Sequence, residues 1–261
     1  PSRHLGLSLD EDFYFEEFAD RVAELVEKHV NINRLLELTK PVATAVVPIS
    51  AGRHIYKREP SFPIAVACDP AFNFVYEANI RYLHHLGEVT YFSPLADTSL
   101  PDVGFVYLPG GYPELYLAAL SANRQMLQSI RRYVESGGKL LAECGGMMYL
   151  CDEIRDKNGD VYPMAGVLHQ SATMENMKLR LGYRTLLYNE TRLKGHEFHY
   201  SRLVEQQNPL PSCAVAYTAK GVETDTPLYH YKNVWAGYTH LYWADPVGNE
   251  WFTKFVIDGN T

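Results

Sequence analysis

The sequence predicts an α/β protein built on a mostly parallel sheet flanked by helices, with an antiparallel portion in its second half. Three observations carry this. Short apolar runs alternate with helical stretches between residues 64 and 142, a spacing that calls for right-handed crossovers in one sheet. The helical stretches in that region close on glycine, as helices commonly do. Beyond about residue 160 the helical signals give way to alternating or β-prone runs.

The elements follow in order. Residues 8–11 have capping-box spacing, and Phe18, Val22, Leu25, Val26 and His29 then repeat at helical intervals. A second short helix is expected from Asn31 as cap through Ile32, Leu35 and Leu36, stopping before Pro41. Residues 41–63 carry four prolines and a glycine and read as a connector. The expected division is an appendage over 1–61 and a main domain over 62–261.

The main domain opens on a buried strand, Ile64–Cys68, and a helix through Ile80, Leu83 and Leu86 that closes at Gly87. Strands at Val89–Phe92 and Phe105–Leu108 follow, then a helix around Met126, Ile130 and Val134, closed by Gly137 and Gly138. Lys139–Ala142 is another short buried strand, leading into a helix through Met147, Tyr149, Leu150 and Ile154. Leu179–Tyr188, Lys194–Val204, Ala214–Thr218 and Val234–Trp243 read as strands, and Asn249–Ile257 as a closing helix.

Composition limits the function. The chain has 261 residues, 46% hydrophobic and 21% charged, with a net charge of −7. An acidic balance argues against a nucleic-acid partner. No apolar run approaches the ~20 residues of a membrane span. Four widely spaced cysteines without a CxxC pair are no disulfide framework, which suits a reducing cytoplasm. The chain opens on Pro1 without Met, so it is expected to be part of something longer.

The stretch 139–150, KLLAECGGMMYL, carries chemistry. A strand runs through Ala142, Glu143, Cys144, Gly145 and Gly146 into a helix, with small residues on both sides of a candidate nucleophile. A nucleophile elbow needs that pattern, because small neighbours let the turn close beneath the projecting side chain. A helix N-terminus also favours thiolate over thiol. The alternative is a plain buried thiol. Pro109, Gly110 and Gly111 follow another strand, at the sheet edge where ligands sit. Backbone N–H groups bared there could face an oxyanion; a tight turn is the alternative.

A thiol nucleophile wants a base. His240 lies near the end of a predicted strand, and His196 and His199 lie in 195–201, GHEFHYS. An odd separation on a strand points those two to opposite faces, which argues against a shared metal. Spacing does not choose among the three. Cys68, Cys151 and Cys213 read as structural.

Together, 142–150 (AECGGMMYL), 108–115 (LPGGYPEL), 195–201 (GHEFHYS) and 238–240 (YTH) resemble the C-terminal glutaminase domain of the cobyrinate and cobyric acid synthase family. That family belongs to the class I-like glutamine amidotransferases, with a flavodoxin-like sheet. The likeness covers roughly residues 62–261. Residues 1–40, with 3–7 (RHLGL) the recognisable piece, resemble the end of the family's ATP-dependent synthetase domain, and the chain has no GxxxxGK[ST] phosphate loop. The resemblance implies that Cys144 attacks the side-chain amide of glutamine and that His240 serves as its base. It implies oxyanion or substrate contacts from Gly110, Gly111, Gly145 and Tyr112.

The ammonia would pass to the synthetase domain, where ATP and Mg²⁺ activate the a and c carboxylates of cobyrinic acid. No metal or cofactor is expected in this piece itself. The wider class carries His-x-Glu, whereas Tyr242 stands two residues after His240. Glu197 could replace that carboxylate only if its strand approaches His240; His196 and His199 are further candidates for support. Two alternatives remain: a non-catalytic docking module of the same fold, or an amidotransferase for another carboxylate acceptor.

Overall fold

In the computed structural model, residues 15–39 and 62–258 are described. The chain divides into two compact units, Pro1–Tyr56 and Lys57–Thr261. The first holds α1 (Phe15–His29) and α2 (Ile32–Leu38). The α2 start is capped as expected: the Asn31 side chain accepts from the Arg34 N–H. The capping-box spacing at 8–11, residues 3–7 and most of the proline-rich connector lie outside the described residues.

The second unit begins with β1 (Pro63–Ala67), α3 (Glu77–Leu86), β2 (Glu88–Phe92) and β3 (Phe105–Leu108). A 3₁₀ turn (Pro113–Leu115), α4 (Leu117–Ala122), α5 (Arg124–Glu135), β4 (Lys139–Glu143) and α6 (Gly145–Leu150) follow. Then come β5 (Glu153–Arg155), β6 (Val161–Pro163), β7 (Ser171–Thr173), β8 (Arg180–Tyr188), β9 (Thr191–His199) and β10 (Arg202–Leu203). The chain continues with β11 (Val215–Thr218), β12 (Glu223–Thr224), β13 (Leu228–Tyr231), β14 (Val234–Gly237), β15 (His240–Tyr242) and α7 (Pro246–Thr253).

The main sheet has the order β13-β14-β4-β3-β1-β2 and is parallel except for β13. Its central strands β1, β3, β4 and β14 are buried on both faces, which is why they read as continuous apolar runs. Alternate residues feed two cores. Ala65, Val106, Leu108, Leu140 and Ala142 pack on the side of α5 and α6. Ile64, Val66, Phe105, Tyr107 and Leu141 pack with Trp235, Trp243 and Phe252 on the other. A five-stranded sheet, β12-β11-β8-β9-β15, is antiparallel throughout, and a small mixed sheet has the order β10-β7-β5-β6. The α/β class with an antiparallel second half is what the sequence predicts.

Several details differ. The run Val234–Trp243 is not one strand: β14 joins the parallel sheet beside β4, and β15 joins the antiparallel sheet beside β9. The chain changes sheets at Tyr238–Thr239. Lys194–Val204 is likewise broken after His199. Helix α6 ends at Leu150, and Ile154 belongs to β5, in a small sheet the pattern did not announce. The closing helix starts earlier, at Pro246, capped by the Asp245 carboxylate, and continues past Thr253 as a π-helical turn. Cys68 is exposed rather than packed in the core, because β1 ends one residue before it.

Candidate active site

The site is built where β3 and β4, paired in parallel, end on the same edge. Immediately after β4, Cys144 adopts φ 49° and ψ −106°. A positive φ in a residue that is not glycine costs of order 1–3 kcal/mol and persists only where its surroundings enforce it. The flanking residues show why the corner needs glycine. A Cβ on Gly146 would lie 2.2 Å from the Leu108 carbonyl oxygen, so α6 sits directly on the end of β3. A Cβ on Gly145 would lie 2.7 Å from Pro113 Cδ and 3.3 Å from the Gly111 nitrogen.

The second loop is pinned from the side. The Phe74 N–H donates to the Gly110 carbonyl and the Tyr112 N–H to the Ala71 carbonyl. Gly111 has φ 156°, and a Cβ there would meet the Ala71 oxygen at 2.2 Å. The Gly111 nitrogen thereby lies beside Gly145. Tyr112, half-buried, leads into the 3₁₀ turn, where Pro113 packs against the elbow.

His240 completes the cluster from the far end of the chain. A Cβ on Gly110 would fall 2.2 Å from His240 Cε1, so the imidazole rests on the bare Cα of that glycine. Phe74 lies 4.5 Å away and His196 stacks at 5.1 Å, ring centre to ring centre. The structure thus brings Cys144, Gly145, Gly110, Gly111 and His240 to one locus. The position two after His240 is Tyr242, packed edge-on to Tyr76, and His240 Nδ1 has no hydrogen-bond partner among the described residues.

The 195–201 segment divides between two faces. His196 pairs in register with His240 and shares its face, with Nδ1 hydrogen-bonded to the Tyr76 hydroxyl. Glu197 and His199 point the other way. The Glu197 carboxylate, fully buried, forms an ion pair with Arg184 at 2.7 Å. His199 donates from Nδ1 to the Ser201 carbonyl, and its ring stacks on Tyr238 at 3.8 Å. A cavity of about 310 Å³ opens on that face, lined by Glu197, His199, Ser201 and Tyr238 but not by Cys144 or His240.

Electrostatics correct one expectation. The helix N-terminus does not leave Cys144 poised as a thiolate. Burial, reinforced by the Glu114 charge, pushes the thiol up, and the Gly145 N–H pulls it only partly back. Helix α6 is only six residues long, too short a dipole to offset that desolvation. Burial, with His196 and His199 nearby, draws His240 down from 6.5 to about 3. The resting pair is therefore a neutral thiol and a neutral imidazole.

That state has a consequence for stability. Between pH 3 and 6.5 the folded chain binds fewer protons at His240 than the unfolded chain, so this contribution is lost as pH falls through the window. Glu143 acts in the opposite sense. Burial pushes its carboxyl from 4.5 up to about 7, so stability present below pH 4.5 is lost as pH rises through 7. His240→Gln removes the first contribution and keeps the second. Its unfolding free energy is expected to fall less steeply than wild type on acidification, by up to about 1.4 kcal/mol per pH unit. Parallel stability–pH curves for the two proteins would contradict a neutral buried imidazole.

Three further groups, Glu143, Asn79 and Phe74, support the cluster without a role that a sequence motif assigns them. The Glu143 carboxyl accepts from the Tyr107 hydroxyl at 2.7 Å and from the Leu241 N–H at 3.0 Å. Asn79, also buried, donates to the Leu241 carbonyl and accepts from the Trp243 N–H. Phe74 packs on the His240 ring. A carboxylate closing an otherwise apolar strand was the available signal for Glu143; nothing local marks the other two.

Residues 63–247 match the CobB/CobQ-like glutamine amidotransferase domain. A cobyrinate a,c-diamide synthase of Leptospira interrogans is 34% identical over 255 residues, covering 94% of this chain and 56% of that protein. A hydrogenobyrinate a,c-diamide synthase of Pseudomonas aeruginosa is 38% identical over 250 residues, covering 93% of this chain and 54% of that protein. The chain therefore spans little more than half the length of these relatives. The solved structure of PurLQS from Thermotoga maritima aligns at a TM-score of 0.48 and 18% identity, over 69% of this chain and 87% of that one.

Proposed function

Since the chain belongs to the CobB/CobQ-like glutamine amidotransferase domain family, we propose that residues 62–261 are a glutaminase and that Cys144 is its nucleophile. His240, neutral at rest, takes the thiol proton as the sulfur attacks the side-chain carbonyl carbon of glutamine. The oxyanion of the tetrahedral intermediate is held by the N–H groups of Gly111 and Gly145. Imidazolium returns its proton to the leaving nitrogen, which departs as ammonia and leaves a thioester on Cys144. His240 then deprotonates a water that attacks the thioester, releasing glutamate and restoring the thiol. Tyr112 borders the substrate at the pocket mouth.

One observation supports this above the rest: the His240 ring lies on Gly110, and the Gly111 nitrogen lies beside Gly145, around a single strained cysteine. A docking module would have no need to hold a cysteine at φ 49°.

The ammonia is consumed in the remainder of the longer protein, over residues 1–61 and beyond. There an ATP- and Mg²⁺-dependent half amidates the a and c carboxylates of cobyrinic acid. Among the described residues, no group of three or more His, Cys, Asp or Glu side chains is placed to hold a metal ion. No described helix is long and apolar enough to cross a membrane. The test is covalent labelling of the intact protein by the diazo-ketone analogue of glutamine. Modification at Cys144 with parallel loss of glutaminase activity is the expected result; an unlabelled Cys144 in a protein bound to its acceptor and ATP refutes the reading.

A further inference from the structure

No side-chain hydrogen bond orients His240 at Nδ1 among the described residues, and Tyr242 stands two positions on, where the wider class carries a carboxylate. Beyond the ring contacts of Phe74 and His196, its position depends on the main chain that carries it. That main chain is β15, three residues long and at the edge of its sheet. Strands this short hold register only with help from outside. One side of β15 pairs with β9. The other is satisfied by two buried side chains, Asn79 and Glu143.

Of these, Glu143 has the more telling placement. It is 2% exposed, at the end of a strand otherwise apolar over Leu140–Ala142. A carboxyl there costs several kcal/mol of desolvation unless its hydrogen bonds are made. Both oxygens are used, one on the Tyr107 hydroxyl and one on the Leu241 N–H. Glu143 is covalently joined to Cys144, and Leu241 to His240. The carboxyl is thus a bridge, one residue from the nucleophile at one end and one residue from the base at the other.

We propose that Glu143 is a positioning residue for His240, fixing the imidazole against the Cys144 thiol by anchoring the Leu241 N–H. It touches neither substrate nor reacting atoms. The inference rests on the glutaminase reading and deepens it. What it adds is the role of a carboxylate that acts through the backbone rather than through the imidazole itself.

The test compares Glu143→Met with Glu143→Gln in the intact protein. Methionine fills the same volume with hydrocarbon, which a buried site tolerates, but accepts nothing from Leu241. Glutamine keeps a carbonyl acceptor for that N–H. For Glu143→Met, kcat for glutamine hydrolysis is expected to fall at least about 30-fold, with KM within about threefold, as a misplaced base requires. Glu143→Gln is expected to stay within about fivefold of wild type. Wild-type kcat in the Met variant overturns the proposal. So does a Gln variant as impaired as the Met variant, because charge rather than the anchoring bond would then be at work.

If the Met variant loses cooperative melting, Tyr107→Phe decides. It frees the same carboxyl without changing volume, and about a threefold loss of kcat at unchanged KM is expected; wild-type kcat overturns the proposal. A wild-type protein that neither hydrolyses glutamine nor labels at Cys144 would instead remove the glutaminase reading, before any variant is compared.

Discussion

Cys144→Ala is expected to lower glutamine hydrolysis by ~10⁴-fold or more, the scale on which a covalent nucleophile is missed. Nothing else in the cluster can form the thioester: Gly110, Gly111 and Gly145 have no side chain, the Glu143 carboxyl is held by Tyr107 and Leu241, and His240 is placed as a proton carrier. The fold is expected to survive. Alanine retains the Cβ, removes one buried sulfur and leaves a small void, for a cost of about 1 kcal/mol. The backbone strain at φ 49° stays, since alanine is no freer than cysteine there.

Cys144→Gly separates these effects. It should be equally inactive, yet as stable as or more stable than Cys144→Ala, because glycine relieves about 1 kcal/mol of left-handed strain. Glutamine turnover and thermal unfolding of the two variants check both statements. A Cys144→Ala protein retaining even a tenth of wild-type turnover is incompatible with the proposed mechanism. A Cys144→Gly protein clearly less stable than Cys144→Ala is incompatible with a strained elbow.

Gly146→Ala is expected to give a large loss of stability for a single added methyl. The new methyl would stand 2.2 Å from the Leu108 carbonyl oxygen, 2.7 Å from its carbon and 2.8 Å from the Pro109 oxygen. All three atoms are backbone, in or next to a central strand, so no rotamer change relieves the clash. Helix α6 must lift away from β3, opening the packing of Met147 and Leu150, both fully buried. Overpacking on this scale costs about 3 kcal/mol or more, roughly 6–12 °C in melting temperature for a domain of this size.

Gly221→Ala is the control. It has φ 76° and open space around its missing Cβ, so only the ~1 kcal/mol left-handed penalty applies. Melting curves for both decide the matter. Equal losses in the two would mean that α6 does not press on β3 as described.

The elbow was legible because it is local. A buried strand, a nucleophile between small residues and a following helix lie within about a dozen positions, and the steric demand of the turn shows directly in the residues that satisfy it. The parallel core was legible for a related reason: strands covered on both faces must be apolar throughout, and Phe105–Leu108 and Leu140–Ala142 are. The strand Val234–Trp243 misled because both of its halves have strand propensity, and propensity does not say which sheet a strand joins. Only pairing sent Val234–Gly237 to β4 and His240–Tyr242 to β9.

By itself, then, the sequence determined the fold class, the strained corner at Cys144 and the glycine pair facing it, all consequences of short-range sterics and hydrophobic pattern. Tertiary structure alone decided which histidine rests on Gly110, which face takes Glu197, how far burial holds the thiol and imidazole neutral, and that Glu143 grips the strand behind His240. These depend on tertiary contacts, 98 residues apart in sequence for Glu143 and Leu241, and on the water such contacts exclude.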